Sequence, residues 1–239
     1  MQTPTYINVY MILASSAVAV AAFGYLRARI ESTKERRWWQ KSLFVFVALY
    51  SIHSVLALSG FYSVFSLPPR FPVAAMATLV IFILFGLSET GRSVLHRIGP
   101  DRLALFQVWR FLPEILILLL VRESLLPEAM TAAGRNFDLW IPVTASAMYY
   151  LRSRRLLPDA VLIVWNLLGI LVLGFTVYTG LRSAPFPFNQ PGPIDTSVLA
   201  QFPIAFLPLF MVPLAMFSHI AGITLLISNP GADRVPART

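Results

Sequence analysis

Seven apolar stretches take up most of the sequence, and they limit what such a chain can fold into. A helix that crosses the hydrocarbon core of a bilayer needs about 20 predominantly apolar residues. The stretches therefore predict an all-α fold, a polytopic membrane bundle of seven transmembrane helices. The bundle would form a single domain over residues 1–227, with a flexible cytoplasmic tail over residues 228–239. The predicted spans are residues 6–26, 38–62, 71–88, 103–121, 137–151, 159–181 and 197–227.

The composition is that of a chain immersed in lipid. Hydrophobic residues make up 57% of the chain and charged residues 13%, and the mean hydropathy is +0.70. Soluble domains are about 25% charged, so a soluble catalytic domain of any size is excluded. The chain has no cysteine, which excludes disulfides, thiolate metal sites and cysteine nucleophiles. The first positive charges follow the first apolar stretch, so we expect no cleaved signal peptide.

Lysine and arginine are distributed unequally between alternate connections. Fourteen lie in one set of connections and four in the other. Because connections rich in these residues stay in the cytoplasm, the pattern predicts an external N-terminus and a cytoplasmic C-terminus. The fourteen are Arg27, Arg29, Lys34, Arg36, Arg37, Lys41, Arg92, Arg97, Arg102, Arg152, Arg154, Arg155, Arg234 and Arg238, and the four are Arg70, Arg122, Arg135 and Arg182.

The acidic residues do not offset this asymmetry. After they are subtracted, the cytoplasmic connections carry the whole formal net charge of +8. We therefore expect this face to attract the anionic headgroups of the lipid bilayer. Nucleic-acid-binding proteins place their basic residues on a solvated face beside polar or aromatic readers, so nucleic acid is not a predicted partner.

Two stretches have unusual compositions. Pro203, Pro208 and Pro213 each remove a helical N–H donor from the last stretch, which is therefore predicted to be bent or locally unwound. Small residues are concentrated between Ala14 and Gly24 of the first stretch, and they permit close helix approach in lipid. This face can pack within the bundle, against a second copy of the chain, or against another membrane protein.

The fourth stretch carries ionisable groups at bilayer depth, where they are costly and so are candidates for a functional site. Gln107, Arg110 and Glu114 have helical spacing and share one face. Arg110 and Glu114 are four residues apart and are predicted to neutralise each other. Pro113, between them, leaves the carbonyl group of Trp109 without its helical donor.

Polar residues of other stretches have matching depths when measured along each helix at about 1.5 Å per residue. Tyr50 and His53 of the second stretch and Asn166 of the sixth join the three polar residues of the fourth in a predicted central ligand-binding cluster. A second, inner pair is predicted between Glu89 and His219. Buried polar residues between membrane helices also serve only as interhelical contacts, and that alternative stays open for all of them.

The two longest outer connections are predicted to form either a lid over the outer mouth or ordinary solvated loops. Residues 182–197 are rich in proline, whereas residues 122–138 are rich in charge. The charged connection offers a possible outer site made of Glu123, Glu128, Arg135 and Asp138.

Several kinds of site are excluded. His53 and His219 differ in depth by about 18 Å on the helical rise, so they cannot hold one haem. Three histidines without HExxH or a paired HxxxH exclude the usual zinc sites. The last stretch has no lysine for a retinal Schiff base, and no phosphate-binding GxxxxGK[ST] or nucleophilic GxSxG motif is present. No metal and no cofactor are predicted.

Five segments resemble an uncharacterised family of bacterial membrane proteins with about seven helices. They are FQVWRFLPE (106–114), LLPEAMTAAGRNFD (125–138), VWN (164–166), SAPFPF (183–188) and FPIAFLPLFMVPLAMFSH (202–219). The resemblance covers the C-terminal part of the chain and implies a multi-pass protein of the bacterial inner membrane. It implies no activity.

Three functions are consistent with these features. The first is a bundle whose polar cavity binds a small molecule or lipid, as a transporter or sensor, with an anionic head group on Arg110 and a proton path through Glu114 and His53. The second is an assembly or structural subunit of a membrane complex. The third is a membrane-embedded enzyme with Glu114 or His53 as general base, which requires a cleft that the sequence cannot show.

Overall fold

The computed structural model describes residues 3–228, and this part of the chain is helical, with no β-strand. The predicted tail lies outside the described residues from position 229 onward. The α-helices are α1 (Thr5–Arg27), α2 (Thr33–Leu58), α3 (Arg70–Gly86), α4 (Glu89–Ile98), α5 (Pro100–Phe106), α6 (Phe111–Arg122), α7 (Trp140–Ser153), α8 (Asp159–Arg182) and α9 (Val212–Ser228).

In the described part of the chain, five helical segments are long and apolar enough to cross a membrane. They are Thr5–Arg27, Thr33–Leu58, Pro100–Arg122, Asp159–Arg182 and Leu207–Ser228. Helices α3 and α4 meet at a bend of 82° and would make a sixth span if counted together. The predicted all-α membrane architecture is therefore confirmed in this coarser form. The predicted count of seven is not reached by length, because α3 has 17 residues and α7 has only 14.

Prolines shape the last predicted span. Residues 201–206 are irregular, and a π-helical turn at Leu207–Met211 precedes α9. The predicted local unwinding is therefore present, but the predicted span at residues 197–227 began too early. Pro203 and Pro208 cannot donate helical hydrogen bonds, so regular α-helix becomes possible only beyond them.

The fourth predicted span is also interrupted. Between α5 and α6 the chain forms one 3₁₀ segment, Gln107–Arg110, just before Pro113. A 3₁₀ helix has three residues per turn instead of 3.6, so it rotates the side chains on either side of it relative to each other. Gln107, Arg110 and Glu114 are nevertheless all buried.

The connections gather at two ends of the bundle. At one end, which we call the basic end, Arg97 of α4 pairs with Glu35 at 2.5 Å and donates to the carbonyl oxygen of Arg29 at 3.1 Å. At the opposite end, the Tyr6 hydroxyl donates to Glu123 at 2.8 Å. Among the described residues, the connection between α1 and α2 and the helix α4, both assigned by the charge count to one side, therefore lie together.

Helix α9 forms the centre of the bundle, where it packs against α3, α5 and α8. Its residues Ala221 and His219 are completely buried. Helices α1 and α2 lie at the periphery and expose large apolar side chains such as Leu13 and Phe44. Exposed apolar faces of this kind are expected for helices that contact lipid.

Candidate functional site

A buried ion pair joins the 3₁₀ segment to the turn before α7. Arg110 is only 1% exposed, and its Nε donates to Asp138 Oδ2 at 3.1 Å. Arg110 Nη2 donates to Asp138 Oδ1, so the contact is bidentate. Two parallel N–H···O bonds are the strong geometry for a guanidinium and a carboxylate. The carboxylate partner of Arg110 is therefore Asp138 and not Glu114, which makes no ion pair with it.

The third nitrogen of Arg110 fixes the protonation of His219. Arg110 Nη1 lies 2.8 Å from His219 Nε2, and a guanidinium can only donate. His219 Nε2 must then accept, so the ring proton lies on Nδ1, which donates to Asn166 Oδ1 at 2.9 Å. Asn166 Nδ2 in turn donates to the carbonyl oxygen of Leu162 at 2.8 Å. In this arrangement the imidazole of His219 is neutral.

Two glycines make room for this chain of hydrogen bonds. A Cβ atom on Gly169 of α8 would overlap the imidazole ring of His219. A Cβ atom on Gly222 of α9 would lie 3.1 Å from Asn166 Oδ1, which is a tight contact. The close approach of α8 and α9 therefore depends on the absence of side chains at both positions.

Glu114 lies next to the ion pair but is held in a different way. It is 6% exposed, and both of its carboxylate oxygens lie 3.0 Å from Asn136 Nδ2. Asn136 Oδ1 accepts from the hydroxyl group of Thr176 and from the backbone N–H of Asp138, each at 2.9 Å. Within residues 3–228, Glu114 has no cationic partner at ion-pair distance.

We call this group of residues the buried cluster; it consists of Arg110, Glu114, Asn136, Asp138, Asn166, Thr176 and His219. The charges of the buried cluster do not cancel. The acidic groups are Asp138 and Glu114, the only buried cation among them is Arg110, and His219 is neutral. With both carboxylates ionised, the cluster carries one net negative charge. Burying a charge that is neither paired nor solvated is costly, so one added positive charge, from a proton or a cation, would stabilise the cluster.

A cavity of about 380 Å³ adjoins this cluster. Arg110, Glu114, Asp138 and Thr176 line one part of it, and the remaining wall is almost entirely apolar. The apolar wall comes from α3, α8, the π-helical turn and the start of α9, and includes Phe71, Met76, Leu79, Leu173, Leu207, Met211 and Met216. Ligand pockets are typically 300–1,000 Å³ with an apolar wall and few polar groups, so the size and lining suit a small ligand.

Two buried polar atoms near the cavity have no hydrogen-bond partner among the described residues. Trp109 lines the cavity, and its indole Nε1 is buried without a partner among the described residues. Gln107, one turn away, donates to the carbonyl oxygen of Ala215 at 3.4 Å, and its Oε1 has no partner within the same range. Buried polar atoms are nearly always hydrogen-bonded, so these two atoms are exceptions close to the buried cluster.

The chain matches the domain of unknown function DUF8737 over residues 69–227, about two thirds of its length. The chain belongs to the DUF8737 family. Comparison with curated proteins and with solved structures gives no match. The DUF8737 region contains every residue of the buried cluster and the whole cavity lining, whereas α1 and α2 precede it.

Two members of the predicted central cluster lie outside the DUF8737 region and outside the cavity. The Tyr50 hydroxyl lies 3.4 Å from the hydroxyl of Ser15, and the Tyr50 ring stacks on Phe206 with centroids 4.0 Å apart. His53 lies 2.5 Å from the hydroxyl of Tyr62 and 3.2 Å from that of Thr78, whereas Glu114 is bonded to Asn136. Within residues 3–228, no direct hydrogen bond joins Glu114 to His53.

His53 belongs to a separate polar group, which it forms with Tyr62 and Thr78. The hydroxyl of Thr78 donates to the carbonyl oxygen of Ala74 at 3.0 Å and lies 3.2 Å from His53 Nε2. Because that hydroxyl has one proton, His53 Nε2 donates to Thr78, and His53 Nδ1 accepts from Tyr62. Every hydrogen-bonding atom of the ring is satisfied within the protein, as expected for a helix contact.

The predicted inner pair is also not formed. Glu89 lies 3.3 Å from Lys34, and both side chains are exposed. His219 is instead bonded to Arg110 and Asn166 within the buried cluster. Glu89 is the first residue of α4, directly after the bend between α3 and α4. Because of this bend, Glu89 lies near Lys34 at the N-terminus of α2.

The predicted outer site is divided by the structure. Glu128 and Arg135 are exposed, and Glu123 accepts from Tyr6 at the surface. Asp138 points into the bundle because the 3₁₀ turn Phe137–Leu139, capped by the Asn136 side chain, leads the chain inward. The loop therefore contributes two buried residues to the cluster rather than a separate site.

Asn136 and Thr176 were not among the predicted site residues. Both orient Glu114, directly or through each other. The sequence contained one signal for Asn136, since an Asn two residues before an Asp at a helix start is typical of a cap. Thr176 gives no such signal, because a hydroxyl in an apolar helix usually bonds its own backbone.

No group of three or more metal-binding residues occurs within residues 3–228.

Proposed function

We propose that this protein binds a small amphipathic molecule or lipid inside the membrane, as a transporter or sensor. The observation that carries the proposal is the cavity of about 380 Å³ with Glu114 in its wall and apolar residues around it. A ligand with an apolar body fits the wall, and its polar end would lie next to Glu114.

The position of the cavity supports entry from the bilayer. Met76 of α3 and Gly174 of α8 both line the cavity and are both exposed. Depth can be counted at about 1.5 Å per helical residue from the end of the bundle that contains Tyr6 and Glu123. On this count, Met76 and Gly174 lie at about the depth of Glu114. An opening between α3 and α8 would therefore face the acyl chains, where amphipathic molecules are concentrated.

The structure changes the role that we expect for Arg110. All of its contacts are taken by Asp138 and His219, so an anionic head group would have to displace Asp138 to reach it. Breaking one partner from a buried ion pair costs about 3–5 kcal/mol. We therefore assign Arg110 to orienting the cluster and Glu114 to contacting the ligand.

The test uses a variant that adds bulk at the cavity wall without disturbing its frame. A Cβ atom on Gly174 would meet no other atom within 4 Å, so Gly174→Leu is expected to fold and to narrow the cavity that Gly174 lines. Gly24→Leu on α1 is the matched control, because a Cβ there also meets nothing within 4 Å and Gly24 does not line the cavity. Thermal stabilisation by six-carbon amphiphiles and by bacterial phospholipids is measured in lipid nanodiscs.

We expect at least one of these molecules to stabilise the wild-type protein and Gly24→Leu, and to lose its effect on Gly174→Leu. Equal stabilisation of all three proteins would place the ligand outside the cavity and contradict the proposal. The absence of stabilisation by every molecule would contradict it as well.

We also propose that the protein crosses the membrane seven times, with an external N-terminus and a cytoplasmic C-terminus. The proposed location is a bacterial inner membrane, and residues 1–227 form one domain.

Helix α7 is the shortest proposed crossing, but its two ends have different surroundings. The chain before α7 contacts Glu114 and Thr176 through Asn136, whereas Arg152 at its other end pairs with Asp159 at 2.5 Å on the basic side. This change of surroundings supports a crossing at α7.

A further inference from the structure

We infer that the polar end of the ligand is a protonated amine whose ammonium group pairs with Glu114, and that this amine and a proton compete for the same carboxylate. The inference rests on the proposed function, because it concerns the occupant of the same cavity. It starts from the charge of the buried cluster, in which two carboxylates face one guanidinium.

The hydrogen-bond network decides which carboxylate is available. Both oxygens of Asp138 accept from Arg110. Among the residues that the structure describes, Glu114 accepts only from a neutral amide, Asn136 Nδ2. Each carboxylate oxygen can accept two hydrogen bonds, so Glu114 retains acceptor capacity and lacks a cation. A ligand ammonium group would supply both the donors and the charge.

Within residues 3–228, four charged or titratable groups lie around this carboxylate, and each has a partner or a fixed role. Arg110 of the 3₁₀ segment is committed to Asp138 and His219, and Asp138 repels a second negative charge. His219 of α9 is neutral, because its Nε2 accepts from Arg110. Tyr10 of α1 donates to the carbonyl oxygen of Leu112 at 2.9 Å and not to Glu114. The added positive charge must therefore come from a proton or from a ligand.

An organic cation fits this cavity better than a metal ion. A calcium ion requires about six to eight oxygen ligands and a magnesium ion requires an octahedral shell. Within residues 3–228 no group of three metal-binding side chains exists. An ammonium group needs only three acceptors, and its carbon chain would occupy the apolar wall formed by α3, α8 and α9.

An anion or a neutral donor fits less well. A carboxylate or phosphate would add a second negative charge beside Glu114, and the nearby cation, Arg110, is already bonded to Asp138. An alcohol would donate one hydrogen bond without supplying charge. Binding of an ammonium ion to the protonated site breaks the O–H bond of Glu114 and releases that proton to water, while the ammonium N–H donates to the carboxylate.

The experiment compares three probes with the same carbon chain: hexylamine, hexan-1-ol and hexanoate. Their binding to the protein in lipid nanodiscs is measured by titration calorimetry between pH 5 and pH 8. We expect hexylamine to bind wild-type protein at least tenfold more tightly than the other two at pH 8. Its affinity should fall as the pH falls, because protons compete for Glu114.

Glu114→Gln separates charge from shape, because glutamine keeps an oxygen acceptor for Asn136. It should lower the affinity for hexylamine at least tenfold and leave the affinity for hexan-1-ol unchanged. Glu31→Gln is the control, since Glu31 is an exposed carboxylate 3.7 Å from Arg97 at the basic end, and it should bind all three probes as wild type does.

A second measurement requires no variant and so does not depend on the folding of Glu114→Gln. At the pH values where the affinity for hexylamine falls, titrations in two buffers of different ionisation enthalpy should show the release of a proton with hexylamine and none with hexan-1-ol. Equal binding of the three probes, all lost in Gly174→Leu, would overturn the amine inference and leave the proposed function intact. Binding of none of them would overturn the amine inference too, and the phospholipid screen would then decide the proposed function alone.

Discussion

Arg110 ties together three parts of the chain that are distant in sequence. Its guanidinium belongs to the 3₁₀ segment before α6, and it bonds Asp138 before α7 and His219 in α9. A guanidinium removed from water is tolerated only with a matched carboxylate and satisfied donors. Here each of its three nitrogens has a partner, so the interaction determines how α6, α7 and α9 are oriented around the cavity.

Asp138→Asn should be strongly destabilising. The variant keeps the side-chain volume but leaves the charge of Arg110 buried without an acid, which costs about 3–5 kcal/mol. The measurement is the free energy of unfolding in mixed micelles titrated with denaturing detergent. The double variant Arg110→Met, Asp138→Leu removes both charges and should be more stable than Asp138→Asn alone. A double variant that is at least as unstable as Asp138→Asn would show that the ion pair is not what the site requires.

Depth along a helix could be estimated from the sequence only where the predicted span began at the right residue. His219 was counted from residue 197 and assigned to an inner pair, but it bonds Arg110 in the buried cluster. Rotation about the helix axis could not be estimated: the spacing of Gln107, Arg110 and Glu114 predicted a shared face, and all three are buried, whereas Tyr50, assigned the same depth as Arg110, stacks on Phe206. Asp138 could not be assigned by depth, because it lies in a connection whose path depends on the cap formed by Asn136.

At the scale of elements, the contact between α8 and α9 depends on glycine. Gly169→Ala places a methyl group against the imidazole of His219, and overpacking of this kind costs about 1–3 kcal/mol. Gly24→Ala lies in an exposed part of α1 and should be neutral or stabilising by up to about 1 kcal/mol. The same unfolding titration measures both. Similar effects of the two substitutions would contradict a tight α8–α9 contact.

Two ion pairs at the basic end should differ in strength. Arg97 pairs with the mostly buried Glu35 at 2.5 Å, whereas Lys34 and Glu89 are both exposed. Glu35 also accepts from the backbone N–H groups of Glu31 and Ser32, which closes the capping box of α2. Arg97→Ala should therefore cost about 1.5–3 kcal/mol.

Lys34→Ala removes the exposed partner of Glu89, and it should change the unfolding free energy by less than about 1 kcal/mol. Both variants remove one positive charge from the same end, so they are matched for the effect of net charge. Equal losses of stability would mean that burial of Glu35 does not strengthen its pair with Arg97.

Sequence patterns predicted the interruptions of helices better than their lengths. Pro203, Pro208 and Pro213 indicated an unwound start of the last span, and a π-helical turn is present there. The same pattern did not show where the span begins, because apolar residues continue through the irregular segment. In the third predicted span, the bend after Gly86 was hidden because apolar composition does not reveal the direction of a helix axis.

At the scale of the whole molecule, charge and contacts lead to the same arrangement by independent routes. The count of lysine and arginine uses only the sequence, whereas the contacts of Arg97 with residues of the α1–α2 connection use only coordinates. Both place the α1–α2 connection and α4 at the same end. Seven crossings of the membrane require α7 to pass from one end of the bundle to the other. Helix α7 is the critical case, because with 14 residues it is the shortest of the predicted spans.

The absence of cysteine in the sequence allows this crossing to be tested directly. Ala133→Cys lies in the exposed connection before α7, and Ser153→Cys lies at its exposed far end. A maleimide that does not cross membranes should label Ala133→Cys in intact cells and Ser153→Cys only after permeabilisation, because connections rich in arginine remain in the cytoplasm. Reversed labelling would invert the proposed orientation. Labelling of both in intact cells would mean that α7 does not cross the membrane. The protein would then have an even number of crossings, unless another element crosses in place of α7.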